Sequence, residues 1–169
     1  MDEYGIVSLN EHSLELFQLE HIEDCLNFYL GKAYQRVLQV TRQRLAPFGV
    51  TSGQYAVLKV LWERDYQSGA DLSERLLLDS ATMTGLLDRL EHAGLIERRP
   101  HITDRRVNVI ALTARGRDLQ EPLDHELELI NQEFLSSFTT EETKLLRHML
   151  TTIASGGRTT LTLKPSESP

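Results

Sequence analysis

A mainly α protein with one small β-hairpin wing is the fold class that this sequence predicts, on three observations. Two short helical patterns meet at Asp79-Ser80, a basic hairpin follows them at once, and longer amphipathic stretches flank the whole. Together these describe a winged helix-turn-helix carried between helices.

The elements follow in order. Residues 1–19 have little helical logic and are expected to form an N-terminal arm. From about Glu20 to Leu45, Ile22, Leu26, Tyr29, Ala33, Val37 and Val40 recur at steps of four and three, the stripe of an amphipathic helix. Pro47 and Gly49 end it. Thr51 or Ser52 caps a second helix with Tyr55, Val57, Leu58, Val60, Leu61 and Trp62 as its apolar members. After the loop Gln67-Ser68-Gly69, a short helix spans about Asp71–Leu78, with Leu72, Leu76 and Leu77 inward. Asp79 and Ser80 supply the turn and the N-cap of the next helix, about Ala81–His92, which packs through Met83, Leu86, Leu87 and Leu90 and stops at Gly94.

Leu95–Arg99 and Arg106–Leu112 read as strands, the second rich in β-branched residues, with residues 100–104 as the hairpin tip. Thr113 caps a long helix bearing Leu119, Leu123, Leu127, Ile130, Phe134 and Phe138, in which Pro122 marks a bend or a late start. Thr139-x-x-Glu142 is a capping box that opens a last helix carrying Leu145, Leu146, Met149, Leu150 and Ile153. Residues 155–169, rich in Ser, Thr, Gly and Pro, read as a C-terminal tail.

Charge is distributed unevenly. The chain carries a net −7, yet between Leu95 and Arg117 there are six arginines against two acids. Phosphate contacts are local and screened beyond roughly 10 Å, so the basic segment counts for more than the total. On the helix over 81–92, the face opposite the apolar side chains carries Ala81, Thr82, Thr84, Gly85, Asp88 and Arg89. Small and hydroxylic side chains let a helix enter a major groove about 12 Å wide, with Ser80, Thr82, Thr84 and Arg89 placed for phosphate or base edges. Asp88 is awkward beside a polyanion and is expected to pair with Arg89 or a wing arginine. Arg98, Arg99, Arg105 and Arg106 line the hairpin, where Asp104 can orient a guanidinium for an A·T-rich minor groove. Double-stranded DNA is therefore the expected partner.

The runs Asp71–Leu76, Asp79–Arg98, Asp104-Arg105-Arg106 and Leu112-Thr113-x-x-Gly116 resemble the MarR family of bacterial transcriptional regulators. The similarity runs from about Glu20 to Ala154. It implies one domain over 20–154, with a DNA-binding lobe at 50–112 and dimerisation helices at 20–48 and 113–154. It also implies that Arg106 is the minor-groove finger, that Asp104 orients it, and that the protein is a regulator, more often a repressor than an activator. The family often has a basic or polar residue where Gly85 stands.

The flanking helices carry more apolar surface than a winged helix needs to cover itself, so a homodimer is expected, reading a pseudopalindromic operator. Tyr29, Tyr34, Arg36, Arg44, Gln54 and Tyr55 are candidates for an effector pocket suited to a small aromatic or phenolic acid. Cys25 is the single cysteine and excludes an intrachain disulfide, which fits a reducing cytoplasm. It is also the candidate for a redox response, although no lysine or arginine lies within one turn. His21 with Cys25 and neighbouring acids offers at most scattered metal ligands, so no metal or other cofactor is expected. No signal peptide, membrane span, nucleophile–base pair or phosphate loop is visible, and enzyme activity is not expected. A redox- or metal-responsive regulator on the same scaffold is the alternative, and a winged-helix protein-interaction module comes behind it.

Overall fold

The computed structural model describes residues 20–100 and 108–156. Two compact units divide after Leu127.

The first unit opens with a 3₁₀ turn at Ile22–Asp24 and then α1, Leu26–Leu45. The helix starts later than the apolar spacing predicts. Asp24 turns its carboxylate back onto the amides of Glu20 and His21, and Cys25 adopts an extended backbone as the N-cap. Cys25 thus precedes the helix as its N-cap. A 3₁₀ turn at Ala46–Phe48 closes on Gly49, whose φ of 67° suits a residue without a Cβ. Helix α2, Ser52–Glu63, begins at Thr51 with a capping box that uses Gln54.

Gln67–Ser68, read from the sequence as loop, is a third strand, β1. It precedes α3 (Gly69–Leu76) and α4 (Ser80–His92), and then come β2 (Ile96–Pro100) and β3 (Asn108–Leu112). The sheet order is β1-β3-β2, antiparallel throughout, with Gln67 opposite Ile110 and Arg98 also opposite Ile110. Helix α3 ends before the predicted boundary: Leu77 takes a left-handed conformation and is 74% exposed, so it does not face inward. The cap of α4 is Asp79, with Ser80 as the first helical residue. At its other end Gly94, φ 68°, donates to Glu91, and Leu95 donates to Leu90, which closes a Schellman motif.

The core of this unit gathers Leu45, Leu58, Leu61, Leu72, Met83, Leu90, Ile96 and Leu123, all buried. Burying each such side chain contributes about 1.5–3 kcal/mol, enough in sum to fix how the helix-turn-helix sits on its sheet. Helix α5 (Ala114–Asp118) is followed after Leu119 by α6, Gln120–Leu135. Pro122 therefore marks a late start: it stands in the first turn, where its missing N–H costs nothing.

The second unit contains the end of α6 and helix α7, Thr140–Ala154, capped as predicted by Thr139 and Glu142. Leu145, Met149, Leu150 and Ile153 remain about half exposed on α7. In the first unit Ile22, Leu26, Tyr29 and Tyr34 are also exposed. Among the described residues no helix is long and apolar enough to cross a membrane.

Candidate nucleic-acid interface

Helix α4 presents the face expected of it. Met83, Leu86, Leu87 and Leu90 are buried, whereas Ser80, Thr82, Thr84, Asp88 and Arg89 are exposed and Gly85 is half-buried. Asp79 holds the helix start: its carboxylate accepts from the Thr82 amide at 2.8 Å and from the Thr82 hydroxyl at 2.6 Å. The Thr84 hydroxyl donates to the Ser80 carbonyl at 2.8 Å. Both hydroxyl protons are thereby turned onto the helix, so the threonines offer methyl groups and lone pairs outward. The Arg89 guanidinium lies back over Gly85, where an added Cβ would stand 3.6 Å from it. The small residue leaves this arginine room to fold along its own helix.

The bonds from Thr82 hold the Asp79 carboxyl below the usual carboxylate range. A carboxyl with a depressed folded pKa stabilises above its unfolded value, about 3.9, and loses that effect as pH falls through the folded value. Asp79→Asn should therefore be less stable than the parent at pH 7, and the gap should narrow as the pH is lowered below about 3.9. Urea denaturation across that range checks this; a difference that persists undiminished at low pH would assign the cap's effect to something other than its charge.

Arg98 sits where β2 and α4 meet. Its guanidinium donates to Asp88 at 2.5 Å and to Glu91, while its amide donates to the Glu91 carboxylate at 3.2 Å. The Asp88 bond raises its pKa first, partly opposed by burial and helped by the Glu91 charge. Arg98 is therefore engaged within the chain, tying β2 to α4, and it is the wing arginine that Asp88 selects over Arg89. Arg99, more exposed, pairs with Glu97. Asp104, Arg105 and Arg106 lie outside the described residues.

Asp65 anchors the base of the wing. It accepts from the Leu112 amide at 3.0 Å, from its neighbour Tyr66 at 2.9 Å, and from the Arg117 guanidinium at 2.6 Å. Sequence reasoning missed it, because a single acid between a helix and a two-residue strand carries no periodic signal.

The effector candidates divide. Arg44 pairs with Glu126 at 3.2 Å, and the Tyr55 hydroxyl donates to Asp124 at 2.8 Å, with Lys59 on the other oxygen of Asp124. Both candidates thus converge on the first turns of α6. Gln54 is buried and uses its side-chain carbonyl to accept from the Thr51 amide. Tyr29 and Tyr34 are exposed on α1, and Arg36 bonds Gln39 on the same helix. Cys25 is half-buried. Among the described residues no group of three or more His, Cys, Asp or Glu side chains is arranged to hold a metal ion.

A capped helix with an exposed hydroxylic face, braced by an adjoining sheet, defines the winged-helix DNA-binding class. The MarR family model matches residues 50–107. SarZ of Staphylococcus saprophyticus, an HTH-type transcriptional regulator, is 33% identical over 110 residues, covering 65% of this chain and 74% of that protein. TtmR of Methylorubrum extorquens, also an HTH-type transcriptional regulator, is 42% identical over 94 residues, 56% of this chain; the chain spans only 45% of TtmR's length. The crystal structure of CouR from Rhodococcus jostii RHA1 bound to p-coumaroyl-CoA aligns with a TM-score of 0.73 at 25% identity, covering 84% of this chain and 99% of that one. CouR, a transcriptional repressor, has also been solved on a 23-mer DNA duplex. This chain belongs to the MarR family.

Proposed function

We propose that the protein is a dimeric, sequence-specific DNA-binding repressor whose operator is released by a small aromatic or phenolic acid. The observation that carries the DNA reading is α4: capped by Asp79, exposed along Ser80, Thr82 and Thr84, and held to the wing through Arg98. The basic segment from Leu95 to Arg117 supplies the phosphate-facing charge, with Arg106 as minor-groove finger and Asp104 as its orienting partner. The dimer is supported by the exposed apolar side chains of α1 and of α7, which a two-fold partner can bury. Arg44 and Tyr55 are the effector residues of choice, because both are half-buried and meet the same helix. That CouR binds an aromatic acyl thioester supports an aromatic effector here.

Arg106→Ala tests the reading. With a duplex recovered by in vitro selection, its affinity should fall about tenfold and the slope of log K against log salt by about one. Parent-like affinity and slope would remove Arg106 from the interface. The same titration, run at saturating DNA, should reach two chains per duplex; one chain per duplex overturns the dimer. Release of the duplex by hydroxybenzoates supports the effector class. Release by peroxide alone, lost in Cys25→Ser, would favour the redox alternative.

A further inference from the structure

Tyr66 stands apart from the rest of the wing. Its φ of 59° lies in the left-handed region, where an aromatic residue is a genuine outlier. Strain of this kind persists only where the surroundings over-determine it. Here Asp65 does so, since it receives the Tyr66 amide while its other bonds hold Leu112 and Arg117. The outcome is an exposed phenol rather than a buried one: Tyr66 is 52% exposed.

What the phenol meets is Arg99. The Arg99 guanidinium carbon lies 6.0 Å from the centre of the Tyr66 ring, and its Nη1 donates to the Tyr66 hydroxyl at 3.4 Å. Its Nη2 donates to Glu97, on the same strand and the same face of the sheet. Arg99 and Glu97 stand opposite Val109 and Ala111, both buried. Arg99 is one residue from the end of β2, directly before the segment that carries Arg105 and Arg106. Arg99 thus belongs to the basic stretch from Leu95 to Arg117 that is proposed to face phosphate.

We propose that Glu97, Arg99 and Tyr66 form an exchange clasp for one DNA phosphate, with Tyr66 as a positioning residue and Glu97 as a built-in competitor. In the free protein Glu97 neutralises Arg99, and Tyr66 holds the guanidinium beside its hydroxyl instead of loose in solvent. On DNA the phosphate takes the place of Glu97, and the Tyr66 hydroxyl keeps its hold on Nη1. The exchange is favourable because an exposed carboxylate pair is weak, whereas a phosphate contact also releases condensed counterions. This inference rests on the DNA reading of the wing and names the contacts beside its tip.

The test is fluorescence anisotropy on a selected duplex, with the full chain and a series of salt concentrations. Glu97→Gln should bind several-fold more tightly than the parent, since the competitor is gone. Arg99→Ala should lose about tenfold in affinity and about one unit of salt slope. Tyr66→Gly is the safer truncation, because glycine is at ease at this φ. It should fold, bind several-fold more weakly, and add nothing further in an Arg99→Ala background. A purely structural tyrosine would instead weaken binding equally in both backgrounds, and that additivity would overturn its role. Unchanged affinity in Glu97→Gln would overturn the competitor. If these variants bind like the parent while Arg106→Ala loses affinity, the clasp alone fails; if Arg106→Ala is also unaffected, the wing reading fails and the clasp with it.

Discussion

Gly116→Ala is expected to cost about 3 kcal/mol or more and to leave much of the first unit unfolded under conditions where the parent is folded. A Cβ on Gly116 would stand 2.0 Å from the carbonyl oxygen of Leu95, a backbone atom that has no room to yield. That carbonyl already accepts from the Thr113 amide, while the Thr113 hydroxyl caps Gly116 and donates to Gly94. The Gly116 carbonyl in turn accepts from the Trp62 indole at 3.0 Å. A shift to relieve the clash therefore disturbs the end of α4, the start of α5 and the packing of α2 together. Trp62 is the only tryptophan, so its fluorescence during urea denaturation reports on this junction. Gly31→Ala provides the contrast. Nothing lies within 4 Å of the added Cβ, and alanine in the interior of α1 should gain up to about 1 kcal/mol. Equal stability of Gly116→Ala and the parent would show that the Leu95–Thr113 turn moves freely.

The second large effect concerns Arg98. Arg98→Ala leaves Asp88 and Glu91 without their shared cation on the helix proposed to enter the groove. Like charge facing a polyanion costs several kcal/mol when it cannot be neutralised, so DNA affinity should fall by ten- to a hundredfold, roughly. The double variant Arg98→Ala/Asp88→Asn separates two explanations. If Arg98 acts by covering acids, removing one acid recovers a good part of the affinity. If Arg98 instead grips a phosphate, the second substitution recovers nothing and the salt slope drops by about one.

The helix-turn-helix was legible because its punctuation is chemical: Asp79 and Gly94 each do what only a few residue types can do at a helix end. The same logic gave Thr139 with Glu142, whereas at the start of α2 it offered Thr51 or Ser52, and the bond from Gln54 decides for Thr51. The start of α1 was less legible, since the apolar spacing runs unbroken through Ile22 while the backbone turns at Asp24. Strand β1 has two residues, too few for any period to appear, and only its pairing with Ile110 and Val109 reveals it. Leu77 looks inward on a helical wheel, but the helix ends before reaching it. Arg98 and Arg99 count equally in a tally of basic residues. Only the fold separates them, placing Arg98 against α4 and Arg99 beside Tyr66. The effector candidates could be chosen by residue type, whereas their bonds to Asp124 and Glu126 depend on where α6 passes, which local sequence does not encode.

The three bonds of Asp65 bear on mechanics as well as geometry. They fasten the start of β1 and the end of β3 at one point beside Arg117, at the root of the sheet. A hairpin fastened there is a cantilever. A small rotation at the root moves the strands further at Pro100 and Asn108 than at Ile96 and Leu112. Arg117 belongs to α5 and also donates to the Leu112 carbonyl, so a displacement of that helix is passed to the root of the wing through the Asp65–Arg117 pair and this bond beside it.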